Sequence, residues 1–275
     1  MNKRDKEILI TGAAGLVGTA MMKELRELGY RLRLLDLNKP RDAMTSERIF
    51  VGSVVDKVLV AEACDGVDGI LHLAGCTTDA PMPAQIEGNI VGASNIFEAA
   101  KQQGIERVVF ASSHHVVGYY PRRRRIGTDV LLRPDSRYGL TKAFGEQLGA
   151  FYADKYGLRS LAIRIGYAGD EPADRRRLSV WISWRDLAQL VDIGFSHPDL
   201  RYAVVYGVSK NDRSFFDNEA AFQLGYQPKD NAEHFAAKVL EQTAAEPLNQ
   251  IGTHVIGGHF ANSEYIDPID RIYEW

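Results

Sequence analysis

Tyr138 and Lys142 stand four residues apart in the stretch Tyr-Gly-Leu-Thr-Lys, and Ser112-Ser113-His114-His115 lies upstream of them. Residues four apart share one face of a helix, so the Lys142 ammonium can sit near the Tyr138 phenol. A free tyrosine titrates at about pH 10. A neighbouring cation favours the phenolate and makes it a usable base. The serine–histidine stretch admits three chemistries: a metal site, a nucleophile with its base, or a pocket that hydrogen-bonds a polyol. Its surroundings must decide.

The elements around these residues follow a pattern. Thr11-Gly12-Ala13-Ala14-Gly15-Leu16-Val17-Gly18 follows an apolar strand and opens a helix. Gly12 permits a tight turn, Gly15 lets backbone approach a pyrophosphate, and Gly18 allows close helix–sheet packing. The helix start then offers free N–H groups to phosphates. Asp36 ends the second strand, where a carboxylate accepts from ribose hydroxyls and repels a 2′-phosphate. Leu37 and Asn38 follow it, with no immediate Arg or Lys, so NAD is favoured over NADP.

Strands are expected at 8–11, 31–37, 50–52, 69–73, 107–112, 160–165 and 202–206. Helices are expected at 16–28, 58–63, 83–104, 138–156, 180–194 and 232–245. Strands separated by helical segments imply an α/β, Rossmann-type doubly wound parallel sheet. Residues 1–165 read as a nucleotide-binding core and 166–275 as a smaller substrate-capping region that partly completes it.

TGAAGLVG (11–18), Asp36, LAG (73–75), SS (112–113) and YGLTK (138–142) occur in the order seen in extended short-chain dehydrogenases/reductases. The likeness runs over nearly the whole chain. Within that superfamily the sequence most resembles the uronate dehydrogenases. The stretches that carry this are VVFASSHHVVGYYP (108–121), RPDSRYGLTKAFGE (133–146), RRLSVWIS (176–183), GVSKNDRSFFDN (207–218) and LGYQPKDNAE (224–233).

The resemblance implies oxidation of the C1 hydroxyl of cyclic galacturonate or glucuronate by NAD, giving an aldarolactone. Tyr138 would take the hydroxyl proton, Lys142 would hold the nicotinamide ribose, and Ser113 would hydrogen-bond the reacting oxygen. Arg176 would pair with the sugar carboxylate. The implied NAD contacts are Gly12, Gly15, Leu16, Val17, Gly18, Asp36, Leu37, Ser53, Val54, Leu73, Ala74, Gly75, Lys142 and Ala168. The implied sugar pocket is Thr77, Ser113, His114, His115, Tyr138, Tyr167 and Arg176. A metal site fits the serine–histidine stretch poorly, because neighbours on an extended segment point to opposite faces. A Ser-His nucleophile lacks the G-x-S-x-G elbow.

Some positions depart from the resembled family. His114 stands where an Asn is expected, Tyr167 where a small Ser is expected, Thr77 in place of a Ser, and Ser53 in place of an Asp beside the adenine. Arg175-Arg176-Arg177 and Arg122–Arg125 add positive charge, which leaves a sugar phosphate open as substrate. A neutral aldose, an epimerase or dehydratase reaction and a cofactor-sensing protein without turnover are the other readings. His72, Asn89, Cys64, Cys76, Phe215, Phe216 and Phe260 are expected to pack or bridge structurally.

The 275 residues are 45% hydrophobic and 25% charged, with a net charge of −3, so no basic surface points to nucleic acid. The apolar runs are too short to span a membrane, and no signal-peptide pattern opens the chain. Two cysteines do not point to a disulfide framework. A cytoplasmic location and a homo-oligomer, built through the long helices, are the expectations.

Overall fold

A computed structural model of the chain describes residues 6–78 and 80–274. The first five residues of the expected core therefore lie outside the described residues. The first half alternates β1 (Glu7–Thr11), α1 (Leu16–Glu27), β2 (Arg31–Asp36), β3 (Arg48–Val51), α2 (Lys57–Cys64) and β4 (Gly69–His72). A long helical stretch follows, made of α3 (Met82–Gln85), a π turn (Ile86–Val91) and α4 (Gly92–Gln102). Then come β5 (Arg107–Ser113), α5 (Arg137–Tyr156), β6 (Arg159–Ile165), β7 (Tyr167–Ala168), α6 (Arg177–Val180), β8 (Trp181–Ile182), α7 (Trp184–Ser196) and β9 (Tyr202–Gly207).

Among the described residues, seven parallel strands form one sheet in the order β3-β2-β1-β4-β5-β6-β9. The direction of winding reverses between β1 and β4, which opens a crevice at the strand C-termini there. Helices cover both faces, so the central strands are apolar on both sides. Ile8, Ile10, Leu32 and Leu34 pack against Met21, Met22 and Leu25 of α1 and Leu187, Leu190 and Val191 of α7. Leu9, Leu35 and Ile70 face Val60 of α2 and Ile96 and Phe97 of α4. β9 comes from beyond residue 166 and pairs with β6, so the second half of the chain closes one edge of the sheet.

Three expected elements differ. The helix expected at 83–104 is interrupted by the π turn, which carries Asn89. The Asn89 amide donates to the Cys76 carbonyl, Gln85 Oε1 and Thr141 Oγ1, and its Oδ1 accepts from Cys76 N–H at 2.7 Å. The widened turn lets one side chain tie the loop after β4 to α5. The helix expected from Val180 starts at Trp184, because Ser183 Oγ caps it by accepting from Asp186 N–H, while Trp181–Ile182 pairs with β7. The helix expected at 232–245 is a 3-10 turn, Ala232–Phe235, followed by a short helix, Ala236–Gln242.

Helix α5 lacks an apolar stripe. It approaches the sheet through small residues: a Cβ on Gly145 would lie 2.1 Å from the Phe110 ring. It also buries charge. Both Glu146 oxygens accept from Arg164 of β6, at 2.8 and 2.9 Å, and Glu146 Oε1 also accepts from Ser112 Oγ at 2.6 Å. Arg164 and Glu146 are almost wholly sealed from water. Breaking such a pair strands a buried charge, which costs more than replacing both partners with apolar groups. Arg164→Met is expected to lower unfolding free energy by about 3–5 kcal/mol, and Glu146→Leu with Arg164→Met by less. Urea denaturation of both variants checks the order.

Candidate active site

The glycine turn is built by backbone. Gly12 has φ +75°, and a Cβ there would lie 2.7 Å from Ala74 N. A Cβ on Gly18 would lie 2.2 Å from the Gly12 carbonyl, so helix and turn touch. Gly15 is exposed and precedes α1 without a side-chain cap, leaving the helix N–H groups open. Asp36 holds this turn: Oδ2 accepts from Ala14 N–H at 3.0 Å and Oδ1 from Asn38 N–H at 2.9 Å. Leu16 and Leu37 stand exposed on the rim. Val54, expected at the adenine, turns its side chain into the core against Gly92. An open helix start, a close-approach turn and a carboxylate at the end of β2 fit a dinucleotide.

Beside the turn lies a pocket of about 240 Å³. Leu16, Val17, Leu73, Thr77, Tyr167 and Ala168 line it together with Ser113, Tyr138 and Lys142. The turn after β1, the ends of β4, β5 and β6, and the first turn of α5 thus converge. Ser136 starts that turn by accepting from Gly139 N–H.

Burial dominates the electrostatics here. The Ser113 hydroxyl favours the Tyr138 phenolate, but loss of water is the larger effect and pushes the phenol up to about 12. Lys142 is pushed down to about 8 by the same cause. Its Nζ sits 5.1 Å from the Phe110 ring centroid and 5.7 Å from that of Tyr138, with no hydrogen bond or ion pair among the described residues. The expected lowering of the tyrosine by its lysine neighbour is therefore reversed in the protein alone, because desolvation outweighs a cation at that distance.

The two histidines do not point apart. Residues 114–117 form a 3-10 turn, begun by Ser113 Oγ accepting from His115 N–H, and the rings lie 4.2 Å apart at 36°. The extended segment expected from sequence is replaced by this turn. His115 Nδ1 donates to Asp135 Oδ2 at 2.7 Å in a buried pair. His114 Nδ1 lies 3.1 Å from the Ile165 carbonyl, and its Nε2 lies 3.2 Å from Arg176 Nη1.

The arginine runs separate cleanly. Arg176 is buried at 7% exposure, and its Nη1 also donates to the Ile256 carbonyl at 3.0 Å. Burial pushes it down to about 10, and no carboxylate pairs with it among the described residues. Arg175 donates to the Thr243 and Leu240 carbonyls, and Arg177 pairs with Asp174. Arg122 clamps Glu246 with two hydrogen bonds, Arg123 stacks on Tyr273, Arg124 on Tyr120, and Arg125 donates to the Phe216 carbonyl. Arg122 and Arg123 thus anchor the C-terminal segment. The Tyr167 ring packs under the Arg177 guanidinium at 4.4 Å.

His72 shares a 2.7 Å hydrogen bond with Thr11 Oγ1, and burial pushes it down to about 3, a packed core histidine as expected. Phe216 stacks on Tyr206 in the core. Phe260 differs from its expected packing role: its ring lies 4.3 Å from His115 and 6.1 Å from Tyr138, so it stands at the site. Cys76 is not a buried filler but is half exposed, near enough to Tyr138 to perturb it. Asp135 was not singled out by sequence reasoning; an acid just ahead of the helix that carries Tyr138 was the available signal.

Residues 8–178 match the model of the NAD dependent epimerase/dehydratase family. A uronate dehydrogenase from Pseudomonas syringae pv. tomato is 42% identical over 84% of this chain and 85% of its own length. The chain belongs to the uronate dehydrogenases of that family. A solved uronate dehydrogenase from Agrobacterium tumefaciens, a tyrosine-to-alanine variant complexed with NAD, superposes with a TM-score of 0.90 at 39% identity, covering 96% of this chain and 98% of that one. An NAD-dependent glucose-6-phosphate dehydrogenase from Haloferax volcanii is 34% identical over 90% of this chain and 99% of its own. The uronate dehydrogenase matches include the second half of the chain, where Tyr167 and Arg176 lie.

Lys142 has a folded pKa of about 8 against 10.5 for the free group. Below pH 8 both folded and unfolded chains hold the proton, and the fold bears the full cost of the buried charge. Between these values the fold has shed the proton, so this contribution to stability rises with pH. Lys142→Met is expected to stabilise the cofactor-free protein at pH 7 by up to about 3 kcal/mol, with the gain shrinking toward pH 10. Thermal unfolding of both proteins across that range checks it.

Proposed function

We propose that this protein oxidises the C1 hydroxyl of a cyclic hexuronate with NAD, releasing an aldarolactone. The observation that carries the reading is the buried Arg176 guanidinium, without a carboxylate partner among the described residues, bonded to His114, whose ring reaches the carbonyl of Ile165 in the lining of the pocket that holds Ser113, Tyr138 and Lys142. A buried cation needs an anion, and a sugar carboxylate supplies one. NAD, when bound, accepts the hydride from C1.

The chain's own residues do the rest. The N–H groups ahead of α1 take the pyrophosphate, and Asp36 takes the adenosine ribose. Lys142 donates to the nicotinamide ribose, which relieves its burial. Tyr138, as phenolate, takes the C1 hydroxyl proton as that carbon becomes a carbonyl, while Ser113 donates to the same oxygen. Ser113 favours the phenolate, which offsets part of the desolvation. Thr77, His115 and Tyr167 bound the sugar, while His114, with both ring nitrogens engaged by Ile165 and Arg176, stands behind them. Phe260 covers it from the C-terminal side.

The likeness to a glucose-6-phosphate enzyme makes a phosphorylated sugar the second substrate to test. Against it, Arg175, Arg177 and Arg122 are each engaged by carbonyls or carboxylates, so one guanidinium is left for the ligand. The enzyme acts as a homodimer through α3, α4 and α5. Ile86 on the π turn between α3 and α4, and Leu140, Phe144 and Phe151 on α5, stand exposed there, and sedimentation velocity tests it. Two free cysteines suit the reducing cytoplasm.

Purified protein with NAD is expected to form NADH with galacturonate or glucuronate, and far less with glucose 6-phosphate or galactose. Tyr138→Phe is expected to lower kcat by about a thousandfold or more while NAD still binds. Preference for the phosphate, or an active Tyr138→Phe enzyme, would overturn the corresponding assignment.

A further inference from the structure

His114 has both ring nitrogens engaged, and its partners dictate its state. The Ile165 carbonyl only accepts, so Nδ1 carries the proton. The Arg176 guanidinium only donates, so Nε2 must be bare. His114 is therefore a neutral imidazole in one tautomer. Burial and the charge of Arg176 both act against its protonation.

Arg176 is fixed in three ways. Nη1 donates to His114 Nε2 and to the Ile256 carbonyl, which uses that nitrogen fully. A Cβ on Gly258 would lie 2.4 Å from Nε and 2.8 Å from both Cδ and Cζ. Carbons this close to a point 2.4 Å from Nε place Gly258 over the face of the guanidinium, because a point along the Nε–H bond would lie farther from both. Gly258 has φ +70°, so both its backbone and its position require glycine. The edge formed by Nε and Nη2 makes no hydrogen bond to the described residues. Two parallel donors on one edge match a planar carboxylate.

We propose that His114 is a positioning residue that aims Arg176, so that a single guanidinium edge reads a carboxylate. The proposal rests on the uronate reading above. It adds that the histidine acts through the arginine and not through the reacting carbon. The chain of contacts runs from Ile165 at the end of β6, through His114, to Arg176 at the start of α6. Strand end and cap are thereby joined by one imidazole. Removing the acceptor leaves Nη1 with one protein partner, and the guanidinium can rotate away from the sugar.

The test measures kcat/KM for galacturonate and for galactose, with galactose at high concentration, in wild type, His114→Leu, His114→Gln, Arg176→Leu and the double variant His114→Leu/Arg176→Leu. His114→Leu is expected to raise KM for galacturonate about tenfold, the size of one hydrogen bond to a charged group. The galactose value should stay within about threefold of wild type on the same principle. Gln places an amide oxygen near the site of Nε2 and should restore most of the loss. In the double variant, the histidine change should add nothing to the arginine change.

Equal losses on both sugars would mean a merely structural histidine and would overturn the proposal. So would additive effects in the double variant, or an unchanged KM in His114→Leu. A wild-type enzyme that ignores uronates would instead sink the functional reading, which separates the two failures.

Discussion

The ion pair between Glu146 and Arg164 ties the helix that bears Tyr138 and Lys142 to the ends of β5, which bears Ser113, and β6, which leads into Tyr167. Glu146 lies one turn beyond Lys142 on α5, and Arg164 lies at the end of β6. Ser112, the neighbour of Ser113, donates to the same carboxylate. Arg164 also reaches the Tyr206 hydroxyl, which donates to the Gly127 carbonyl. One sealed carboxylate therefore sets the distance between α5, β5 and β6. Because an isolated buried charge is so costly, small shifts of the helix are penalised more steeply than an apolar contact would penalise them.

Ionisable groups closer to the reaction are buried without such compensation. Lys142 is pushed down, Tyr138 is pushed up, and Arg176 is held with only neutral partners. Each is a group that the proposed ligands would complement. The fold bears strain in charge, not in backbone geometry, and binding would relieve it. This is the usual way a site trades stability for function. Around it, the neutral imidazole of His114 and main-chain carbonyls supply direction without competing for the ligand's negative charge.

Much of the fold was legible. Apolar runs at 8–10, 108–110 and 161–163 read as buried strands, and the glycine turn marked the first crossover. Asp36 and the Tyr138–Lys142 pair stood out because local spacing alone relates them to their elements. The break at Ile86–Val91 was hidden, since a π turn leaves no periodic signature and its cause, Asn89 reaching Cys76 and Thr141, is long-range. The 3-10 turn at His114 was hidden too. Its cap comes from Ser113, but its packing comes from Asp135, Ile165 and Arg176, which are distant in sequence.

The sequence by itself determined the order of strands and helices, the nucleotide turn and the residue types available for proton transfer. These depend on contacts within a few residues and on periodicity. Only the tertiary structure decided how each arginine of the triplet is partnered, because that depends on which carbonyls and carboxylates surround each guanidinium. It also decided the protonation balance of Tyr138 and Lys142. Desolvation is a property of the whole enclosure, so no spacing of residues along the chain reveals it.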